Sequence, residues 1–417
     1  MYGFFSLDSV FSSRHKRFLQ NLTIREDGPG SIFRDFEALL GYFREGDLPV
    51  TGTCQLPNRV LPEINARLTH PLQLGLKRPR QKSYPHIQGL YLLARASGLT
   101  CVGGTGKKLL LSVDDEVYSM WERLNPTERY GTLLETWLLW GRPEIVGERD
   151  NRLFGGSSNI QNWLNFFSRI PDKGVRIAGG SGAEDWFRYT PGWHDLGLLE
   201  LFGLIDVQHG AAEPGKGWRI KHINRTQLGD ALLALLFTEF FGDVEGILRL
   251  SEAAETRCGV LQSVLQPYFP EWKNGLSLPE EAFREGTHIF KVSLGEVWFR
   301  IAVSEDEVLD ALAYAILEAV EFDHDHLYVF SYRDRFGAME EIQHPRMDEG
   351  PWTDEVRIGD VPLRVGETMT YLFDFGDEWR FDVTLEQVDT ERVVKNPVIL
   401  EVHGDPPEQY PGWDDEE

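Results

Sequence analysis

The chain has 417 residues, 41% hydrophobic and 26% charged, with 12 Trp, 13 Tyr and 25 Phe. That apolar supply excludes wholesale disorder, and the length fits two or three domains of roughly 100–200 residues each. The net charge of −24 is uneven: residues 1–111 hold 15 Lys+Arg against 8 Asp+Glu, while residues 286–417 hold 10 against 32. A basic head suggests a polyanion partner, and an acidic tail does not. No apolar run approaches the ~20 residues of a membrane span, and no basic segment precedes an apolar block at the N-terminus. No membrane partner and no signal peptide are expected. Cys54, Cys101 and Cys258 make no CxxC pair, which excludes zinc ribbons and disulfide scaffolds and points to a cytoplasmic location.

In chain order, residues 56–68 (LPNRVLPEINARL) read as a short helix opened by Pro57, with Pro62 marking a break or restart. Lys77, Arg78, Arg80 and Lys82 then cluster as KRPRQK. Residues 84–97 carry Ile87, Leu90, Tyr91, Leu93 and Ala94 at helical spacing, and Gly98 stands where a left-handed stop belongs. Residues 99–102 (LTCV), the turn GGTGKK and residues 109–113 (LLLSV) read as a β-hairpin. Helices followed by a hairpin make the winged-helix arrangement, in which a helix enters the DNA major groove while the hairpin tip meets phosphate. Lys77, Arg78, Arg80 and Lys82, with Lys107 and Lys108 on the tip, are therefore the expected phosphate contacts, and duplex DNA the expected partner. The glycine turn is no P-loop, because Cys101 and Lys108 hold the positions where Gly and Ser or Thr are needed.

A second stretch repeats the pattern. Residues 194–203 (HDLGLLELFG) end in Gly203, and residues 204–207 and 218–222 flank a loop; SGLTCV at 97–102 lines up with FGLIDV at 202–207. Residues 226–241 read as a helix with Thr226 as N-cap. Between the two stretches, residues 124–141 present Leu133, Leu134, Trp137, Leu138 and Trp140 as the apolar face of a core-packing helix. Gly-rich segments at 154–158 and 179–182 read as loops without a dinucleotide fingerprint, and no cofactor is expected.

Residues 270–286 are polar and rich in Pro and Gly, as a linker would be. Beyond them, residues 288–294 and 296–303 alternate across Gly295 as a hairpin. The run SEDE at 304–307 reads as a capping box opening a helix that buries Val308, Leu312, Ile316, Leu317 and Val320. Residues 327–333, 369–375, 379–388 and 398–402 read as strands. The expected fold is multidomain. A basic winged-helix-like domain (1–125) and a helical region with a second such unit (126–275) precede an α+β domain (288–413) with a largely antiparallel sheet.

Three blocks, FDHDHLYVF (322–330), YLFDFGDEWRFDVTLE (371–386) and GDPPE (404–408), occur in that order. They resemble the plasmid pRiA4b open-reading-frame-three-like family over residues 288–413, under a third of the chain. The resemblance implies a compact α+β module linked to mobile elements, some relatives being named as insertion-sequence passengers or resolvases. It transfers no established reaction. Members often carry His where this chain has Phe381, and Pro-Pro-Glu-Asp-x-Gly-Gly where it has PPEQYPGW.

Asp374 and Asp377 bracket a Phe-Gly turn in which Gly376 is expected to take positive φ and Trp379 to enter the core. Asp323, His324, Asp325 and His326 precede a strand. Asp323, Asp325, His326, Asp374 and Asp377 form a candidate ligand set for a divalent metal and, with His403 and Asp405, a candidate hydrolytic centre. Turn capping is their plainer use. Kinase, serine-hydrolase and cysteine-protease signatures are missing, and no catalytic residue is assigned. The leading reading is a non-enzymatic, mobile-element or plasmid-associated protein, binding DNA through its head and a protein through its tail. The alternatives are a metal-dependent hydrolase centred on the acidic domain, and an adaptor that never meets nucleic acid.

Overall fold

The computed structural model describes residues 11–105, 108–148, 159–177, 187, 190–256, 259–276, 278 and 282–410. The chain divides into two compact units, one built chiefly on residues up to 278 and the other chiefly on residues from 279.

In the first unit, α1 (Ser13–Asn21) and α2 (Ile32–Phe43) lead to β1 (Leu48–Pro49), α3 (Leu61–Arg67) and α4 (Pro85–Ala96). A hairpin of β2 (Thr100–Thr105) and β3 (Lys108–Val113) follows, and the sheet order is β1-β3-β2. Next come α5 (Asp115–Arg123) and α6 (Pro126–Glu135), the latter opened by a reciprocal Asn125–Glu128 cap and running into a π turn at Thr136–Trp140. The pattern then recurs. After α7 (Asn159–Phe167) come β4 (Val175–Arg176), α8 (Trp193–Leu201), β5 (Ile205–His209) and β6 (Ile220–Arg225), in sheet order β4-β6-β5. Both α4 and α8 are followed by a left-handed glycine, Gly98 at φ 77° and Gly203 at φ 72°, which turns the chain into its hairpin without a Cβ clash. Helices α9 (Gln227–Phe241), α10 (Val244–Thr256) and α11 (Val260–Leu265) complete the unit, with the Thr226 hydroxyl accepting from Gly229 N–H at the start of α9.

The divisions expected at 1–125 and 126–275 merge into this one unit because α4 packs against α8. Gly89 and Gly197 permit the approach: a Cβ on Gly89 would lie 2.6 Å from Leu198 Cγ, and one on Gly197 3.0 Å from the Pro85 backbone. The expected linker also begins later than its composition suggests. Trp272 is buried against Gly131, and the Glu128 carboxylate accepts the N–H groups of Lys273 and Asn274.

The second unit is a seven-stranded antiparallel sheet in the order β10-β9-β11-β12-β7-β8-β13. Its strands are β7 (Thr287–Leu294), β8 (Val297–Val303), β9 (Tyr328–Arg333), β10 (Met339–Gln343), β11 (Thr368–Phe373), β12 (Trp379–Asp389) and β13 (Val398–His403). Helix α12 (Leu309–Ala319) buries Leu309, Leu312, Ile316 and Leu317 in the same core as Phe290, Phe299, Ile301, Tyr371 and Phe381. The run SEDE is a turn ahead of the helix rather than its capping box. Helix α12 starts at Leu309 because the carbonyls of Val356 and Thr353 accept the N–H groups of Leu309 and Asp310. Among the described residues no helix is long and apolar enough to cross a membrane.

Candidate functional site

The three sequence blocks of the second unit meet at one end of its sheet. Phe322 anchors the first, buried against Phe373, Trp379 and Phe381, with ring centroids 4.9 Å apart for Phe322 and Trp379. The loop that follows presents Asp325 and His326. The second block supplies the turn at 374–378 between β11 and β12. There Asp374 is left-handed at φ 55°, and its Oδ1 accepts the Gly376 N–H at 2.8 Å. The third block brings Gln409, whose side-chain oxygen accepts the Asp323 N–H at 2.5 Å, and Tyr410, whose hydroxyl donates to Asp325 at 3.0 Å. His326 Nε2 lies 3.2 Å from the Tyr410 hydroxyl and 3.5 Å from a carboxylate oxygen of each of Asp325 and Asp374.

The structure thus joins Asp325, His326 and Asp374, adds Tyr410, and leaves out the rest of the expected ligand set. Asp377 points outward on the exposed turn, and Asp323 holds Gln409 through its backbone. His324 stacks on Tyr314 and His403 on Trp298, and neither reaches the cluster. Among the described residues no group of three His, Cys, Asp or Glu side chains is placed to hold a metal ion. The expectation for Gly376 is corrected: the left-handed residues of this turn are Asp374 and Glu378, at φ 55° and 54°, and Gly376 is not among them. Phe381 is a core residue beside Tyr371. Burial and the hydrogen bond to Asp325 both raise the Tyr410 phenol above its ordinary pKa, so the hydroxyl stays protonated and serves as a donor. The cluster is a polar clasp that ties the third block to the first.

In the first unit, Lys77, Arg78, Arg80 and Lys82 are all exposed. Lys107 lies outside the described residues, and Lys108 opens β3 with its side chain undescribed. The helix expected to enter a DNA groove has a different role. All twelve residues of α4 are buried, so it has no face left for a base edge. Its packing against α8 on one side and against α2, α3 and the turns at 136–140 and 143–146 on the others is the physical reason.

That packing also builds a cluster the sequence does not announce. Glu200 on α8 accepts from His86 Nε2 of α4 at 2.8 Å and from His209 Nε2 of β5 at 2.6 Å. Trp218 stands edge-on to both imidazoles, with centroid distances of 5.1 and 5.5 Å. Burial would raise the Glu200 pKa, but the hydrogen bonds from His209 and His86 outweigh it and hold the carboxyl down at about 2. Close by, Asp195 accepts from the Trp137 indole N–H at 2.8 Å. Residues 86, 200 and 209 share no local spacing, and the internal repeat that aligns α4 with α8 is the one signal that could have paired them.

Residues 289–415 match the family model described as plasmid pRiA4b ORF-3-like protein. Among solved structures, the chain is similar to the crystal structure of a protein of unknown function, MM3350 from Methanosarcina mazei Go1. The identity is 24% over 30% of this chain and 72% of that chain, with a TM-score of 0.26. No curated protein matches the chain.

Proposed function

We propose that the protein is a non-enzymatic adaptor of mobile-element or plasmid association, whose acidic second unit receives a protein partner. In this reading the first unit is a pair of winged-helix-like modules folded inward on each other. A short strand, a helix leading through a left-handed glycine into a hairpin, and the matching sheet orders β1-β3-β2 and β4-β6-β5 support that reading of the modules, with α3, among the described residues, an extra helix in the first. The observation that carries the adaptor reading is the complete burial of α4. A winged helix reads DNA with this element, and here it is spent on internal packing. The plasmid pRiA4b description of the family matched by the second unit supports the association with plasmids.

A second reading keeps a sequence-independent DNA contact, favoured by the exposure of Lys77, Arg78, Arg80 and Lys82. Fluorescence anisotropy of the full chain with duplex DNA separates the two across a salt titration. The adaptor reading expects at most weak binding that is indifferent to sequence and gone at physiological salt, with the quadruple Ala variant removing any residue of it. Tight, sequence-selective binding that persists at physiological salt overturns the adaptor reading.

A further inference from the structure

The two edges of the seven-stranded sheet are treated differently. On the β10 edge, Gln343 forms a parallel bridge with Trp352, its N–H donates to the Pro351 carbonyl, and its own carbonyl accepts the Thr353 N–H. Glu340 and Glu341 add charge to the same strand. These are the usual devices that keep an edge from pairing with a foreign strand. Among the described residues the β13 edge has no such main-chain cover and pairs with β8 alone, although it carries Glu401 and a bulge. Five of its six residues are exposed.

The apolar face of the sheet also runs onto β13 and stops there. Ile399 lies opposite Ile301 and Val402 opposite Phe299, the latter two both core residues, yet Ile399 and Val402 are 39% and 51% exposed. Between them a bulge returns Glu401 to the other face, where it pairs with Arg300. A single added strand would satisfy the free main-chain groups and continue this apolar face. Charge selects the occupant. Residues 286–417 hold 10 Lys+Arg against 32 Asp+Glu, and Glu391, Glu401, Asp405 and Glu408 lie exposed on and around the strand, with only Arg392 and Lys395 leading into it. A second copy would set two such acidic surfaces together, whereas a cationic segment would be drawn in.

We propose that β13 is an addition site for an extended, cationic segment of a partner protein, which pairs with it as an eighth strand. The proposal rests on the adaptor reading and specifies how that adaptor holds its partner. The probe is a short peptide alternating Val and Lys, offered to the full-length protein. Companion peptides carry Glu in place of Lys, or backbone N-methyl groups on the odd or on the even residues. Expected results are salt-sensitive binding of the parent peptide, none of the Glu peptide, and loss of binding for one N-methyl series but not the other, since one edge of an added strand faces β13. Hydrogen exchange should slow across Val398–His403 and stay unchanged across Met339–Gln343. Binding that survives in both N-methyl series, equal binding of the Glu peptide, or no binding of the parent peptide overturns the proposal. So does self-association of the free protein that Val402→Lys abolishes, which would give the edge to a second copy. None of these outcomes touches the adaptor reading, which falls instead on selective DNA binding.

Discussion

Glu200 sits between His86 and His209 inside the first unit, whereas Asp325, His326 and Asp374 meet at the surface of the second. Both are carboxylate–imidazole clusters, the first with contacts of 2.6 and 2.8 Å and the second with contacts of 3.5 Å. Burial separates most of their members as well. The His86, Glu200 and His209 side chains are 3%, 15% and 29% exposed, against 37% and 54% for His326 and Asp325, while Asp374 is 11% exposed. A buried charge without its partner leaves an uncompensated ion, while an exposed one is taken up by water. The denser motif therefore belongs to the less consequential cluster for stability, and the cluster built from scattered residues carries more.

The largest test of this difference is deletion. Glu200→Ala leaves two imidazoles facing an apolar seam and is expected to cost about 3–5 kcal/mol in urea unfolding. Tyr410→Phe and Asp325→Asn, which open the surface clasp, should each cost less than about 1 kcal/mol. Equal losses in the two regions would break the comparison.

Titration sharpens it, because two buried carboxyls of the first unit move in opposite directions. Glu200 is held at about 2, below its unfolded value of 4.5. Its contribution is complete above pH 4.5 and is lost as pH falls toward 2. Glu135 is pushed up to about 7 by burial, against the opposing hydrogen bonds from the Leu261 and Gln262 N–H groups. Its native form binds a proton more tightly than the unfolded chain, so stability is lost as pH rises from 4.5 through 7. Glu135→Gln should remove that alkaline limb and gain about 2–3 kcal/mol above pH 7. A variant whose stability profile keeps the same slope between pH 4.5 and 7 contradicts the assignment.

A smaller loss, about 2 kcal/mol, is expected for Trp379→Ala. Its ring packs on Phe322 beneath the clasp but is only half-buried, so it should fall short of the cost of a full core truncation. Thermal unfolding of the full chain measures it. A loss below that of Tyr410→Phe would mean that polar contacts rather than packing hold this end of the sheet.

What was legible in the sequence follows from how local each signal is. The helix at 85–96, its glycine stop, both hairpins and most strands of the second unit are written in contiguous periodicity. The strands β1 and β4 have two residues each, too short for any pattern. The start of α12 is set by carbonyls more than forty residues away, so a good capping box nearby lost to a tertiary one. The burial of α4 was partly visible in its run of apolar residues around the whole helix, which fits a core element better than a groove reader. The surface cluster was legible because its blocks are compact. Which members converge was not, since Tyr410 and Gln409 act across some eighty residues.

The smallest effect concerns the turn beneath the surface cluster and distinguishes its two left-handed residues. Asp374 at φ 55° uses its own side chain to accept the Gly376 N–H, a local bond that offsets the strained backbone. Glu378 at φ 54° has no such bond, and its carboxylate reaches Arg380 in an exposed pair at 3.1 Å. A left-handed conformation costs an ordinary residue roughly 1–2 kcal/mol, and Asn tolerates it better than Glu. Glu378→Asn should therefore stabilise by about 0.5 kcal/mol after the weak ion pair is lost. Gly376→Ala should change stability by less than about 0.5 kcal/mol. Its backbone needs no positive φ, and the one atom its Cβ would crowd is Asp374 Oδ1 at 3.2 Å. Denaturant midpoints of the two variants, measured side by side, decide which residue carries the strain. A clear loss in Gly376→Ala together with no gain in Glu378→Asn would move the strain to the glycine and return the turn to the geometry that its sequence suggests.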